Sequence, residues 1–396
     1  MHKDVPAAAL SSFYLTYYAA LGAFTPYWSV FLEHRGQDAA AISVLMSLWY
    51  GTRIFAPSSW GWLVSRSSQP IRWLHIGCAL TVLSFLPFVV PMGFAGLFCA
   101  MVVFCFTYNA VMPQFEALTL SHLAGRSEQY GRIRVWGSIG FIAIVALFGE
   151  VFDYVSMAQL PWLMLPLFVV MCASSFFNRY GPAHITREAD ASSDMPALRA
   201  VLRRREVIVF LLMALLTQMS FGPLYTFFSL YLEQHDYRPS TLGMYWALGV
   251  TVEIAVFSLA ARIFARWDAR TVLLAALGSA VLRWVVTALF PQHAWIIALA
   301  QLTHALNFAA FFAACMQYMA RYFPGRLAGH GQGVYYGFSS GLGGVLGALI
   351  AGQAWRLGGG ELAFLVGALF SAAAFALTWF ALPPTRALHT AVRETA

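Results

Sequence analysis

Long runs of apolar residues, separated by short polar stretches, dominate the pattern along the chain. A helix needs about 20 such residues to cross about 30 Å of hydrocarbon, because it rises about 1.5 Å per residue. Twelve runs reach this length. They cover residues 9–32, 39–64, 71–91, 94–119, 133–153, 158–178, 206–232, 240–265, 269–290, 294–322, 331–355 and 360–382. The pattern therefore predicts an all-α polytopic membrane protein with twelve transmembrane helices.

One long hydrophilic stretch, residues 179–205, divides these runs into six and six. We predict an N-terminal six-helix bundle at 1–178, a cytoplasmic central loop at 179–205, and a C-terminal six-helix bundle with a short cytoplasmic tail at 206–396. With only 10% charged residues and 60% hydrophobic ones, the chain has too little polar surface for a soluble domain, which carries about 25% charged residues.

The two halves repeat each other. Glu33 closes the first run and Arg53 lies twenty residues later, while Glu233 closes the seventh run and Glu253 lies twenty residues later. Paired six-helix repeats that bind a ligand at the midplane are typical of a large class of transporters. The repeat therefore predicts two pseudo-symmetric bundles around a central cavity.

The distribution of basic residues predicts the orientation. Most arginines fall in loops on the side of the N-terminus, and the opposite loops contain only Arg35, Arg238 and Arg356. Cytoplasmic loops carry the excess of Lys and Arg, so both termini are expected in the cytoplasm. The net charge of +7 reflects this asymmetry and does not imply a nucleic-acid partner.

Several ionisable side chains lie inside or beside the apolar runs, where a charge costs at least a few kcal/mol unless it faces a cavity or a partner. They are Arg53, Glu116, Glu253, Arg283 and His304, with Arg134 at a helix start. Three arginines against two glutamates leave one positive charge if the histidine is neutral. These charges predict a polar path through the membrane, with a monoanion balancing the surplus.

Glu116 and Arg134 stand 18 residues apart on two runs that a short turn connects. Antiparallel neighbours can bring the carboxylate and the guanidinium together as a charge-assisted pair. The pair could bind a substrate, or Arg134 could be a cytoplasmic topology charge with Glu116 as its salt-bridge partner. The residues alone favour neither interpretation.

The loop at residues 61–66, Gly-Trp-Leu-Val-Ser-Arg, resembles the Gly-x-Leu-x-Asp-Arg loop of the major facilitator superfamily, although Ser65 replaces the acidic residue. Residues 115–117 and 130–137 resemble the corresponding region of lactose permease, a member of that superfamily. The resemblance implies that Glu116 and Arg134 grip a substrate and that Phe141 stacks on it.

Further residues resemble bacterial 3-phenylpropionate transporters of the same superfamily along nearly the whole chain, among them Arg53, 246–253 and 283–284. Arg283 and His304 match an Arg and a His of a proton-coupling cluster in lactose permease, whereas Gln301 and Asn307 replace its neighbouring Lys and Glu. The likeness implies a bacterial inner-membrane transporter.

Taken together, these features predict proton-coupled uptake of a small aromatic carboxylate by alternating access. Arg53 or Arg134 would hold the carboxylate, since an arginine cannot lose its charge. Alternatively, Arg53 forms a fixed structural pair with Glu253 or Glu116. A proton-coupled symporter of a neutral sugar or nucleoside is the alternative, because the pair of Glu116 and Arg134 resembles a sugar clamp. A channel or an intramembrane enzyme is a weaker candidate.

Glu253 is the best candidate proton carrier, because the protonation of a buried carboxyl depends on whether an arginine stands beside it. His304 could titrate near neutral pH or could be a neutral imidazole bonded within its helix. We assign Glu253, Arg283 and His304 to proton coupling.

Among the aromatic residues, which form 16% of the chain, we expect Phe24, Tyr27, Trp28, Phe141 and Tyr225 to line the pocket. The chain has a single lysine, Lys3, so it lacks a phosphate-binding loop that ends in Lys-Ser or Lys-Thr. We expect no enzymatic activity, cofactor or metal, and a monomer whose partners are the bilayer, protons and a small molecule.

Overall fold

The computed structural model describes residues 5–123, 127–180 and 195–385. Within these ranges nearly all residues are helical and no β-strand occurs, which confirms the predicted all-α membrane fold. Residues 181–194 of the predicted central loop and 386–396 of the tail lie outside the described ranges, so the predicted domain boundaries stay a prediction.

The contacts divide the chain into two compact units, and the first comprises Met1–Arg187 with Phe228–Ala247. Its described helices are α1 (Ala7–His34), α2 (Ala39–Ser65), α3 (Pro70–Phe85), α4 (Phe94–Leu123), α5 (Ser127–Phe152) and α6 (Leu160–Ser175). Short 3₁₀ turns at Leu86–Val89 and Met157–Gln159 follow α3 and precede α6. The unit also includes the end of one helix and the start of the next from the second half of the chain.

The second unit comprises Glu188–Phe227 with Leu248–Ala396. The helices of this half are α7 (Met195–Leu202), α8 (Arg205–Ser220), α9 (Gly222–Glu233), α10 (Pro239–Arg266), α11 (Ala269–Leu289), α12 (Ala294–Leu302), α13 (Phe311–Tyr322), α14 (Leu327–Tyr336) and α15 (Gly344–Ala381). A π-helical segment, Leu306–Ala310, joins α12 to α13, and another, Gly337–Gly343, joins α14 to α15.

In the described residues, ten helical segments are long and apolar enough to cross a membrane. The last of them, Leu327–Ala381, contains two predicted spans, 331–355 and 360–382. They are separated at Gly358 and Gly359, where the backbone leaves helical geometry and φ is −155° and +65°. Helix α1 has 28 residues and coincides with the first predicted run, although it is not among the ten.

Glycines let α1 and α5 approach closely in the first unit. A Cβ on Gly140 would lie 2.2 Å from the carbonyl oxygen of Leu15, and one on Gly22 would lie 2.7 Å from that of Phe141. Small residues allow such backbone contact between membrane helices. This packing brings the tyrosines of α1 against the charged face of α5.

The predicted seventh span, 206–232, corresponds to one candidate membrane-spanning segment, Arg205–Glu233, which contains two helices. Helix α8 ends at Ser220 and α9 starts at Gly222, because Pro223 has no backbone N–H to donate to the preceding turn. A Cβ on Gly222 would lie 2.3 Å from the carbonyl oxygen of Gly347, so the break also lets the chain touch α15.

Candidate functional site

In the first unit, α4 and α5 bring Glu116 and Arg134 together. Arg134 Nε lies 3.8 Å from Glu116 Oε1, and the two side chains are 30% and 28% exposed. Arg134 was expected at a helix start, but α5 begins at Ser127, which places Arg134 in its second turn. The pair is therefore positioned by packed helices and remains partly accessible.

Three tyrosines surround this pair, and the sequence analysis did not identify them. The hydroxyls of Tyr14 and Tyr130 both donate to Glu116 Oε2, at 2.8 and 2.9 Å. The ring of Tyr18 lies 4.0 Å from Arg134 Cζ, and its hydroxyl accepts from Arg134 Nη2. A signal was present, since Tyr14 and Tyr18 share a face of α1 at a spacing of four residues.

Arg53, on α2, has different partners. Its Nε donates to Asn109 Oδ1 at 3.3 Å, and its Cζ lies 5.1 Å from the ring of Trp49 and 5.8 Å from that of Tyr50. Asn109 is itself held by Thr52 Oγ1 at 2.9 Å. Among the described residues, no carboxylate lies within ion-pair distance of Arg53, and the residue is exposed.

A buried polar chain runs through the second unit from α11 to the turn after α12. Arg283 is only 1% exposed. Its Nη1 lies 3.1 Å from His304 Nδ1, and its Nη2 donates a hydrogen bond to Gln301 Oε1 at 2.9 Å. Trp284 lies beside the guanidinium, with its ring centroid 4.6 Å from Cζ. The structure thus brings Arg283 and His304 together and adds Gln301 as their neighbour.

The tautomer of His304 follows from this arrangement. A guanidinium nitrogen can only donate, so Nδ1 of His304 accepts and its proton is on Nε2. That nitrogen lies 3.8 Å from Glu253 Oε2. The neutral imidazole therefore stands between the positive charge of Arg283 and the negative charge of Glu253.

Asn307, three residues after His304, has partners of its own on α11. Its Nδ2 donates to the Ala276 carbonyl at 2.8 Å and to Ser279 Oγ at 2.6 Å. Asn307 lies within the π-helical segment Leu306–Ala310, and such segments are frequent at functional sites. The irregular backbone therefore follows immediately after His304.

Comparison with known proteins places this geometry in a family. A model of the MFS_1 like family matches residues 7–366, which is most of the chain. The chain belongs to this family of the major facilitator superfamily. The membership confirms the predicted superfamily, and it makes the buried ionic clusters those of a membrane transporter.

Two curated relatives of this transporter are also transporters. The chain is 29% identical over 317 residues to the "Probable 3-phenylpropionic acid transporter" of Escherichia coli (strain K12), covering 78% of this chain and 80% of that protein. It is 25% identical over 366 residues to the "Maltose permease" of Geobacillus stearothermophilus, covering 89% and 90%. These relatives agree with the expectation that the chain is not an enzyme.

A solved structure shows the same fold. The nucleoside transporter NupG superposes with a TM-score of 0.80 at 14% identity, and the match covers 97% of this chain and 98% of that one. At this identity the likeness concerns the fold alone. Among the described residues of our chain, no group of three or more metal-ligating side chains forms a candidate metal site.

The structure places the predicted aromatic residues of the transporter in packed surroundings. Trp28 is fully buried and Phe24 is 3% exposed, and their rings stack 5.1 Å apart. Phe141 is 8% exposed, whereas Tyr225 is half-buried and stacks on Phe221. Trp28 and Phe24 thus belong to the aromatic core of the first unit in this conformation, and their contact with substrate stays a prediction.

Proposed function

We propose that the protein is a secondary active transporter that takes up a small aromatic monocarboxylate together with protons, by alternating access. The observation that carries the proposal is the environment of Arg53, an arginine whose described partners are an amide oxygen and two aromatic rings. The chain's relative in Escherichia coli, whose name refers to 3-phenylpropionic acid, supports the same substrate class.

The charges of the candidate site support an anionic substrate. Arg134 faces Glu116 within the first unit, and Arg283 reaches Glu253 through His304 within the second. Arg53 keeps its positive charge because a guanidinium does not lose its proton in proteins. A bound carboxylate would neutralise that charge, and a bidentate pair with it would fix the ligand's orientation.

The surroundings of Arg53 also suit an aromatic acid. Trp49, whose ring lies beside the guanidinium, stacks on Phe24 with ring centroids 4.8 Å apart. A ring attached to a bound carboxylate would meet this aromatic surface, where offset or edge-to-face contacts contribute about 0.5 to 1.5 kcal/mol beyond burial. Phe24 would then contact the aromatic ring of the substrate while Arg53 binds its carboxylate.

A thermal-shift screen of the purified protein tests the substrate class. 3-Phenylpropionate should stabilise the protein, by about 2.7 kcal/mol at a hundred times its Kd, whereas its amide should not. Arg53→Gln should abolish the shift. Arg66→Gln is the matched control, because Arg66 directly follows α2 and also stacks on a tryptophan, with its Cζ 3.9 Å from the ring centroid of Trp62. Equal stabilisation by acid and amide would refute the anion-binding proposal.

Glu253 is the proposed proton-coupling residue, with Arg283 and His304 as its partners. A carboxyl group that faces a neutral imidazole can be protonated without placing a second positive charge beside Arg283. Glu253→Gln should abolish accumulation against a gradient in proteoliposomes while leaving counterflow exchange measurable. Glu361→Gln, an exposed glutamate of α15, serves as the control. Normal accumulation by Glu253→Gln would exclude this role.

Transport of a neutral sugar or nucleoside is the second candidate function, and the Glu116–Arg134 pair favours it. A mutually neutralised pair offers acceptors and donors to hydroxyl groups without requiring a charged ligand. The names of two similar proteins, a maltose permease and a nucleoside transporter, agree with this alternative. The same screen separates the two, since maltose or a nucleoside alone would then stabilise the protein.

We further propose that the transporter is a monomer in the bacterial inner membrane with both termini in the cytoplasm. The arginine distribution supports this orientation. In a variant whose five native cysteines are replaced, a single cysteine introduced as Arg199→Cys, on α7, should react with an impermeant maleimide in inverted membranes and not in intact cells. Labelling in intact cells would indicate the opposite orientation, with α7 outside the cytoplasm.

A further inference from the structure

We propose that Gly137 and Tyr18 are positioning residues that set the guanidinium of Arg134 so that one of its nitrogens, Nη1, is presented to the substrate. The inference rests on the proposed transport of an aromatic acid, and on the expectation from the superfamily resemblance that Arg134 contacts this substrate in addition to Arg53. It assigns a task to a glycine that neither the charge pattern nor the superfamily resemblance singled out.

Two of the three guanidinium nitrogens of Arg134 already face protein groups. Nε faces Glu116 Oε1 at 3.8 Å, and Nη2 donates to the hydroxyl of Tyr18. Nη1 has no hydrogen-bond acceptor among the described residues. Nη1 can therefore donate a hydrogen bond to a carboxylate or hydroxyl oxygen of a ligand.

Glu116 is restricted in a complementary way. Its Oε2 accepts from Tyr14 at 2.8 Å and from Tyr130 at 2.9 Å, which fixes the carboxylate and directs Oε1 toward Arg134. Charge-assisted bonds of this kind are roughly twice as strong as neutral ones. Glu116 thus holds the Nε edge of the guanidinium while Tyr18 supports its face.

Gly137 provides the space in which this arrangement fits. A Cβ at this position would lie 2.7 Å from Arg134 Nη1 and 2.8 Å from Cδ2 of Tyr18, closer than real Cβ atoms approach other heavy atoms. The smallest substitution, Gly137→Ala, must therefore displace either Nη1 or the ring beneath it. Any other residue would displace them further.

The clash at Gly137 involves side chains only, so the fold should survive the substitution. At Gly140, one helical turn later, the added Cβ would instead meet the backbone of Leu15, which cannot move without separating α1 from α5. Gly131, on the same helix, has nothing within 4 Å of a Cβ built on it. Gly131→Ala is therefore the matched control for Gly137→Ala.

The test compares wild type, Gly137→Ala and Gly131→Ala in binding and counterflow of 3-phenylpropionate by the full-length protein. We expect Gly137→Ala to weaken binding at least tenfold and to raise KM, with maximal rate and melting temperature close to those of Gly131→Ala. In an Arg134→Gln background, Gly137→Ala should have no further effect, because it acts through the guanidinium. Tyr18→Leu, which removes the ring, should weaken binding as well.

Two outcomes would overturn the inference: wild-type affinity in Gly137→Ala, or an equal loss of affinity on adding Gly137→Ala to Arg134→Gln. Failure of the proposed substrate class looks different, because wild type itself would then bind neither 3-phenylpropionate nor other aromatic acids. In that case, binding of the sugar or nucleoside that stabilises wild type is measured for the same variants. The same two outcomes would then overturn the inference.

Discussion

Replacing Gln301 by leucine tests the buried polar chain of the second unit most directly. Gln301 is 3% exposed, and its Oε1 accepts from Arg283 Nη2 at 2.9 Å. Leucine has a similar volume but no acceptor. The substitution would leave Arg283 with His304 as its remaining hydrogen-bond partner among the described residues, since Arg283 Nε has none already.

The expected cost follows from the charge and burial of Arg283. A hydrogen bond to a charged group contributes about 1.5 to 3 kcal/mol, and leaving a buried charged donor unpaired costs its desolvation. At 1% exposure, Arg283 has little access to water that could replace the lost acceptor. We expect Gln301→Leu to lower the free energy of unfolding by about 2 kcal/mol.

The chain contains a matched control for the same kind of contact. On α15, Arg356 Nη1 donates to Gln353 Oε1 at 3.4 Å, and both side chains are exposed. Gln353→Leu should change stability by less than about 0.5 kcal/mol, as is usual for surface positions. Gln301→Glu, which keeps an acceptor oxygen for Arg283, should retain most of the stability that Gln301→Leu loses.

Unfolding of the purified protein by SDS in mixed micelles, followed by tryptophan fluorescence, measures these differences. Trp284 lies beside Arg283 and reports on the cluster itself. If Gln301→Leu and Gln353→Leu lowered stability equally, or if Gln301→Leu were neutral, the hydrogen bond to Arg283 would not stabilise the fold. The reasoning from burial and charge would then be wrong.

Three further substitutions can be measured by the same unfolding titration. Asp153→Ala removes two hydrogen bonds that Ser240, in the first turn of α10, donates to the carboxylate from N at 3.1 Å and from Oγ at 2.7 Å. The loss should cost about 1 to 2 kcal/mol of unfolding free energy, as for other helix caps, and unchanged stability would contradict this. Gly222→Ala, whose Cβ would approach the Gly347 carbonyl oxygen to 2.3 Å, should cost about 2 to 3 kcal/mol by overpacking, and a smaller loss would mean that the helices separate easily. An alanine Cβ at Gly359 meets no neighbouring atom, but the backbone there has φ of +65° and ψ of −162°, a region essentially restricted to glycine. Gly359→Ala should therefore cost about 1 to 3 kcal/mol by backbone strain alone, and a neutral result would show that the turn can relax.

The positions of the membrane helices followed from the sequence because hydrocarbon thickness imposes a length that can be counted. Predicted runs 39–64 and 269–290 correspond to helices Ala39–Ser65 and Ala269–Leu289. The break at Gly222 and the π-helical segment Leu306–Ala310 did not follow. Pro223 is visible in the sequence, but α1 continues through Pro26, so a proline alone does not show where a span breaks. The π-helical segment has no such sequence signal.

The partners of the buried charges were only partly predictable. The resemblance to lactose permease placed Glu116 with Arg134 and Arg283 with His304, but it did not identify the tyrosines around Glu116 or the amide beside Arg53. Aromatic residues make up 16% of the chain. The shared face of Tyr14 and Tyr18 therefore did not show which charges these tyrosines meet, until α1 is seen against α4 and α5. The expected pocket residues Phe24 and Trp28 illustrate the same problem, since packing buries both of them.

The sequence by itself determined that this chain is a two-repeat, all-α membrane transporter with charges inside its spans, because hydrophobic length and the cost of burying charge act residue by residue. Only the tertiary structure decided which donors and acceptors meet. That choice depends on atomic distances between helices, such as the 3.8 Å between Arg134 and Glu116. Where α1 and α5 touch, glycines allow the short separation that brings Tyr18 to Arg134.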